Sequence, residues 1–123
     1  MIAEDNAILA KSIARRLRQI GIATVIVPSA EAFGKSYVKH RFDAICLDLQ
    51  LPDGNGLDLL EFDIRANSDD VPVLLITGTG TEEDRARAEH HGAVGFLIKP
   101  FALSTLTQIL ERYIAKPSSA GTC

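Results

Sequence analysis

Short apolar runs alternate with amphipathic runs along the chain. Met1-Ile2-Ala3 predicts the start of a first strand. Asn6 then caps a helix whose apolar positions, Leu9, Ile13, Leu17 and Ile20, recur at spacings of four, four and three. Gly21 ends that helix as a C-terminal cap. Residues 22–27 read as a second strand closed by Pro28, and Ser29 caps a second helix carrying Ala32, Phe33 and Val38, with Gly34 its weak point. Residues 44–47 form the third strand, and a third helix starts near Gly56 with Leu57, Leu59, Leu60 and Ile64 on its apolar side. Residues 71–76 are the fourth strand. Thr81 before Glu82, Glu83 and Asp84 starts a helix with a hydroxyl cap and acids at the positive end of its dipole. Residues 94–98 are the fifth strand, and Leu103, Leu106, Ile109, Leu110 and Ile114 form the stripe of a last helix. Residues 116–123 read as a disordered tail after a domain spanning 1–115.

Strands alternating with helices predict an α/β fold with a parallel sheet covered on both faces. The run Val71-Pro72-Val73-Leu74-Leu75-Ile76 is apolar throughout, as a strand buried on both faces requires. Ligands of such sheets bind beyond the carboxyl ends of the strands. Glu4-Asp5, Asp48, Thr77 and Lys99 all fall at those ends.

Asp48 is the most telling of them. It follows the apolar run Ala44-Ile45-Cys46-Leu47, where an unpaired carboxylate costs several kcal/mol. With neighbouring strands, Asp5 and Asp48 come within a few ångströms and repel, which a hard divalent cation relieves. Oxygen ligands in an open site favour Mg2+ (or Mn2+). Glu4 could bind through a water, and the backbone carbonyl of Gln50 could add a ligand. Lys99 can reach over the strand ends as a point charge toward phosphate or carboxylate. The Thr77 hydroxyl can donate to a phosphoryl oxygen. Taken singly, each also has a plain structural reading as a helix-dipole acid, a surface lysine or a turn threonine. Their arrival at one edge is what favours the chemical one.

Composition narrows the classes. At 123 residues with 46% hydrophobic and 24% charged content, the chain is an ordinary globular sequence of one domain. A net charge of −3 gives no electrostatic footprint for nucleic acid. No apolar stretch is long enough to span a membrane. Cys46 reads as a small buried hydrophobe and Cys123 as part of the tail, which fits a reducing cytoplasm. The basic run Lys11, Arg15, Arg16, Arg18 is a solvated helix face or a docking face. Gly78-Thr79-Gly80 is not a dinucleotide fingerprint, having two glycines after the fourth strand. His90 and His91, being adjacent, are not expected to share a helix face.

The motifs together resemble those of the receiver domains of two-component response regulators, the CheY-like superfamily. They are Glu4-Asp5-Asn6, the run Phe42 to Asp48, Leu51-Pro52-Asp53-Gly54-Asn55-Gly56, Leu74-Leu75-Ile76-Thr77-Gly78, and Gly92-Ala93 followed by Phe96-Leu97-Ile98-Lys99-Pro100-Phe101. The resemblance implies a flavodoxin-like (βα)5 doubly wound sheet of strand order 2-1-3-4-5. It implies that Asp48 accepts a phosphoryl group from a histidine kinase or a histidine phosphotransfer protein, with Mg2+ held by Glu4, Asp5, Asp48 and Gln50. Thr77 would switch onto that group, Lys99 would ion-pair with it, and the peptide before Pro100 would be cis. Phe96 stands where the family often has Tyr or Phe, and would fill the space Thr77 leaves. Gln50 and Thr79 occupy positions that influence phosphate lifetime. The surface of the fourth helix, fifth strand and last helix would carry the signal, helped by a fourth helix with no large apolar residue.

The first strand is shorter than the family usually has, which predicts fewer paired residues than in its neighbours, reduced stability, or a truncated or re-started chain. An output domain or target protein and a phosphorylation-dependent homodimer are left open, and no direct nucleic-acid or membrane contact is implied. Two other readings are a receiver-fold interaction module that is never phosphorylated, and an enzyme of related architecture. A flavin site would want a Ser/Thr/Gly-rich loop where Glu4-Asp5-Asn6 stands, and an aspartyl-phosphate phosphatase a second aspartate at Gln50.

Overall fold

The computed structural model describes residues 1–114, so the tail expected at 116–123 lies outside the described residues. The elements are β1 (Ile2–Ala3), α1 (Ala7–Gln19), β2 (Ile26–Val27), α2 (Ala30–Lys39), β3 (Ile45–Asp48), β4 (Gln50–Leu51), β5 (Gly54–Asn55), α3 (Gly56–Asp58), β6 (Val73–Thr77), α4 (Glu82–His90), β7 (Gly95–Ile98) and α5 (Leu103–Glu111). The five long-range strands form one parallel sheet of order β2-β1-β3-β6-β7, the predicted flavodoxin-like topology.

Strand alternation divides the core into two layers. Ala3, Ile45, Leu47, Val73 and Leu75 face Phe33, Leu57, Leu60, Ile64 and Ala88 on one side. Ile2, Cys46, Leu74 and Ile76 face Ile13 and Leu17 of α1 and Leu106 and Leu110 of α5 on the other. Cys46 is buried and free, and burial pushes its thiol pKa up to about 12, so it is the inert small hydrophobe expected.

Local caps form where the chain predicts them. Asn6 Oδ1 accepts from Leu9 N at 3.1 Å and Ser29 Oγ from Ala32 N at 3.1 Å. Thr81 and Asp84 form a reciprocal capping box. Gly21 takes φ +87° after α1, a conformation that favours glycine.

Three elements depart from expectation. The second strand shrinks from 22–27 to Ile26–Val27, because β1 offers it only Ile2 and Ala3 as ladder partners. β1 thus pairs over two residues on each side, against four for β3 with β6, as its short apolar run implied. Beyond Asp48, where no strand was expected, the chain forms an antiparallel hairpin, β4–β5. Past Asp58 the third helix widens into a π-helical segment, Leu59–Ile64, and closes as a 3-10 turn, Arg65–Asn67.

α4 buries only Ala88, in line with its polar sequence. Ion pairs hold it instead. Arg87 Nη2 lies 2.7 Å from Asp58 Oδ1 and 3.0 Å from Glu61 Oε1, and His91 Nε2 lies 3.0 Å from the same Glu61 oxygen. Arg65 donates to the carbonyls of His91 and Gly92 just past the helix. His90 ends α4 and His91 is its C-cap, outside the helical repeat; their ring centroids stand 5.0 Å apart, edge to face. The half-exposed ion pairs of Arg87 contribute up to about 1 kcal/mol and are screened by salt. Arg87→Ala should therefore raise amide exchange across α4 roughly fivefold at low salt. In 1 M salt the variant and wild type should converge; identical exchange at low salt would remove the ion pairs as the helix's tether.

Candidate functional site

The register of the sheet assembles the site. Ala3 stands opposite Leu47, so Glu4 comes level with Asp48, and Thr77 stands opposite Ile98, so Lys99 follows one residue on. All four lie at the carboxyl edge of the sheet. Glu4, Asp48 and Thr77 are buried, with relative exposures of 1%, 2% and 0%. Asp5 is exposed, beside them.

Lys99 joins the two buried acids. Its Nζ lies 2.9 Å from Asp48 Oδ2 and 2.7 Å from Glu4 Oε1. The other Asp48 oxygen accepts from Gln50 N at 2.9 Å, and Glu4 Oε2 accepts from Asn6 N at 3.0 Å. Glu4 Oε1 has the ammonium as a charge partner but no well-directed hydrogen bond, leaving a buried oxygen with unused acceptor capacity. Partial burial opposes the charge on Lys99, but its pairing with the Glu4 and Asp48 carboxylates outweighs that and its pKa is raised.

Burial, reinforced by Asp48 beside it, raises the Glu4 pKa to about 7 against the lowering effects of Lys99 and the Asn6 N–H. The fold therefore favours neutral Glu4. In metal-free protein, Glu4 costs nothing below its ordinary value of 4.5, costs progressively more stability as pH rises to about 7, and is constant above that. Without divalent ions, the stability of Glu4→Gln relative to wild type should thus rise across this window. Parallel stability curves from pH 4.5 to 7 would contradict the assignment.

Glu4, Asp5 and Asp48 each present a carboxylate oxygen, all within 4.8 Å of one another. Hard oxygen donors, one with an incompletely bonded buried oxygen, suit a small divalent cation. Gln50 is placed beside them by its backbone N–H on Asp48.

The remaining expected residues line the same edge. Thr77 Oγ1 donates to Thr79 O and accepts from Thr79 N, both at 3.1 Å, so its hydroxyl is folded onto its own turn. The Lys99–Pro100 peptide is cis. Phe96 is half-buried beneath the 77–80 turn, and a Cβ on Gly80 would stand 2.6 Å from its ring, so only glycine lets the ring lie there.

Four contacts were not legible in the motifs. Gln50 Nε2 donates to Thr79 Oγ1 at 2.8 Å, linking the two positions that flank the site. The Arg85 guanidinium sits 5.1 Å from the Phe96 centroid. Asp53 reaches the start of α2, and Arg65 gathers carbonyls from two loops. Asp53 carried a turn signal and the two arginines only a charge, with nothing to name partners more than 10 residues away.

The comparisons agree with this geometry. Residues 1–111 match the response regulator receiver domain family. The transcriptional regulatory protein QseB of Haemophilus influenzae is 30% identical over 94% of this chain and 52% of its own length. The regulatory protein LuxO of Vibrio vulnificus is 36% identical over 95% of this chain and 26% of its own. The chain thus spans a half or a quarter of these relatives. Among solved structures, the non-phosphorylated HemR receiver domain of Leptospira biflexa superposes with a TM-score of 0.83 at 32% identity, covering 94% of both chains. The receiver domain of a sensor histidine kinase from Pseudomonas aeruginosa, with a magnesium ion coordinated in its active site cleft, gives 0.77 at 31% identity over 91% of this chain and 93% of its own. With its sheet order, the cluster at the sheet's carboxyl edge and a family match over nearly its whole length, the chain belongs to the receiver domains of two-component response regulators.

Proposed function

We propose that this receiver is a phosphorylatable switch in which Asp48 accepts a phosphoryl group from a histidine kinase or a histidine phosphotransfer protein. The observation that carries this reading is the position of Lys99, bridging two buried acids beside the exposed Asp5. A buried nucleophile already paired to a cation is arranged for transfer that depends on positioning and charge neutralisation more than on proton chemistry.

A bond forms between an Asp48 oxygen and phosphorus as the phosphorus–nitrogen bond to the donor histidine breaks. Gln50 N–H orients one Asp48 oxygen, leaving the carboxylate fixed for in-line attack. Glu4, Asp5, Asp48 and the Gln50 carbonyl would hold Mg2+ (or Mn2+), which supplies neutralisation of the transferring oxygens when bound. Lys99 exchanges Asp48 for the new phosphoryl oxygens. Thr77 releases the Thr79 carbonyl to donate to the phosphoryl group, and Phe96 moves into the space it vacates. That motion loosens the Arg85 contact and alters the surface of α4, β7 and α5, a shift between pre-existing states. The Gln50–Thr79 bond links the two positions that flank the site and would slow water's approach to the acyl phosphate. The domain would act in the cytoplasm and pass its signal to an output domain, a target protein or a second copy.

Among the described residues no helix is long and apolar enough to cross a membrane. The test is incubation with Mg2+ and acetyl phosphate followed by intact-mass measurement. One added phosphoryl group is the expected result. No gain would leave the alternative, an unphosphorylated interaction module, as the better reading.

A further inference from the structure

Asp53 lies exposed at the tip of the β4–β5 hairpin, where a turn aspartate ordinarily bonds its own backbone. Here both oxygens reach another element. Oδ1 accepts from Ala30 N at 2.7 Å and Oδ2 from Glu31 N at 3.0 Å, the first two N–H groups of α2. Those bonds hold its carboxyl below the usual carboxylate range. Helix α2 already has a cap in Ser29, whose hydroxyl takes Ala32 N. The helix can therefore start without Asp53; what Asp53 adds is a fixed position for the hairpin.

The hairpin is pressed against the helix as well as bonded to it. A Cβ on Gly54 would stand 2.9 Å from Ala30 Cβ. At its other end the hairpin meets the site: Gln50 pairs with Asn55 and donates its N–H to Asp48 Oδ1. The chain from Asp48 to Asp53 is thus anchored at the nucleophile and at α2, with a short ladder between.

We propose that Asp53 is a positioning residue for the Asp48 site, acting through the β4–β5 hairpin to hold the Gln50 backbone against Asp48 and, on the reading above, against the divalent cation. The sheet edge supplies the carboxylates, whereas the Gln50 peptide belongs to a two-residue strand whose other ties run through side chains, Gln50 Nε2 on Thr79 Oγ1 and Leu51 packed in the core. The Asp53 bonds fix the hairpin tip, and without them the tip can swing from α2 and turn the Gln50 peptide away from Asp48.

The test compares Asp53→Ala, Asp53→Asn and Ser29→Ala with wild type in the full chain. Ser29→Ala weakens the same helix start without touching the hairpin, so it separates positioning from simple loss of stability. Partners that orient metal ligands commonly account for 10- to 100-fold in affinity. Calorimetric titration with MgCl2 should show roughly 10-fold weaker binding in Asp53→Ala. Asp53→Asn, which keeps one acceptor oxygen, should fall between, and Ser29→Ala should stay within about twofold of wild type. Amide exchange in metal-free protein should show lost protection at Gln50 and Asn55 in Asp53→Ala alone. Unchanged Mg2+ affinity and Gln50 protection in Asp53→Ala, or equal losses in Ser29→Ala, would overturn the proposal. Wild-type protein that binds no Mg2+ would instead defeat the proposed function, and the exchange measurement would then decide the positioning role by itself.

Discussion

Asp48→Asn is expected to take up no phosphoryl group from acetyl phosphate, a loss of at least roughly a thousandfold, or about 4 kcal/mol in the barrier. The amide is close in volume to the carboxylate and can still accept from Gln50 N, so the hairpin keeps its hold on the β3 end. What disappears is the nucleophilic oxygen. The same change removes one of two buried acids competing for a single ammonium, and it removes a charge that raises the Glu4 pKa. Activity and stability should therefore move in opposite directions. The metal-free variant should melt no lower than wild type near pH 7, while intact mass shows no adduct. A variant that still gains one phosphoryl group would place the acceptor elsewhere and remove the central claim about this site.

Gly56→Ala should have the largest effect on stability. A Cβ at Gly56 would stand 2.4 Å from Asp48 O, 3.0 Å from Asp48 C and 3.1 Å from Leu49 Cα. All three are backbone atoms at the end of a central strand, so no side chain can swing aside. Gly56 N also donates to Leu49 O at 2.9 Å, which holds the new methyl against them. Overpacking of this kind costs about 3 kcal/mol, a fall in Tm of roughly 10 °C for a domain of this size. Phosphorylation should fall with it, because the atoms displaced are the backbone of the acceptor. Gly34→Ala is the contrasting case: nothing lies within 4 Å of its Cβ position inside α2. Helix propensity then predicts a gain of about 0.5–1 kcal/mol. A Gly56→Ala protein melting with wild type would mean that β3 and the hairpin yield more easily than this packing implies.

The contrast between those glycines shows how much could be read in advance. Gly34 is a helix-propensity matter, visible in the chain. Gly56 stood in a motif of the family, but its conflict with Asp48 depends on the hairpin folding back over the strand end. The capping residues Asn6, Ser29 and Thr81 were legible because a cap acts over three residues. The buried strands were legible because continuous apolar runs have few alternatives. The extent of β2 was not, because its ladder length is decided by β1, a distant segment with two residues to offer. The His90–His91 ring contact was not legible either, because His91 lies past the last helical residue, where no repeat fixes its direction.

The chain alone determined the order of elements, the parallel sheet, and the arrival of Glu4, Asp5, Asp48, Thr77 and Lys99 at one edge. These follow from local periodicity and from the rule that such strands all run the same way. Only the tertiary structure decided how those residues meet: Lys99 between Glu4 and Asp48, Glu4 shifted to a pKa of about 7, and Asp53 tied to α2. The physical reason is range. Caps and periodicity act between residues three or four apart, whereas Coulomb interaction, burial and steric exclusion depend on distances through space, and the pairs that matter here lie 22 to 95 positions apart in the chain.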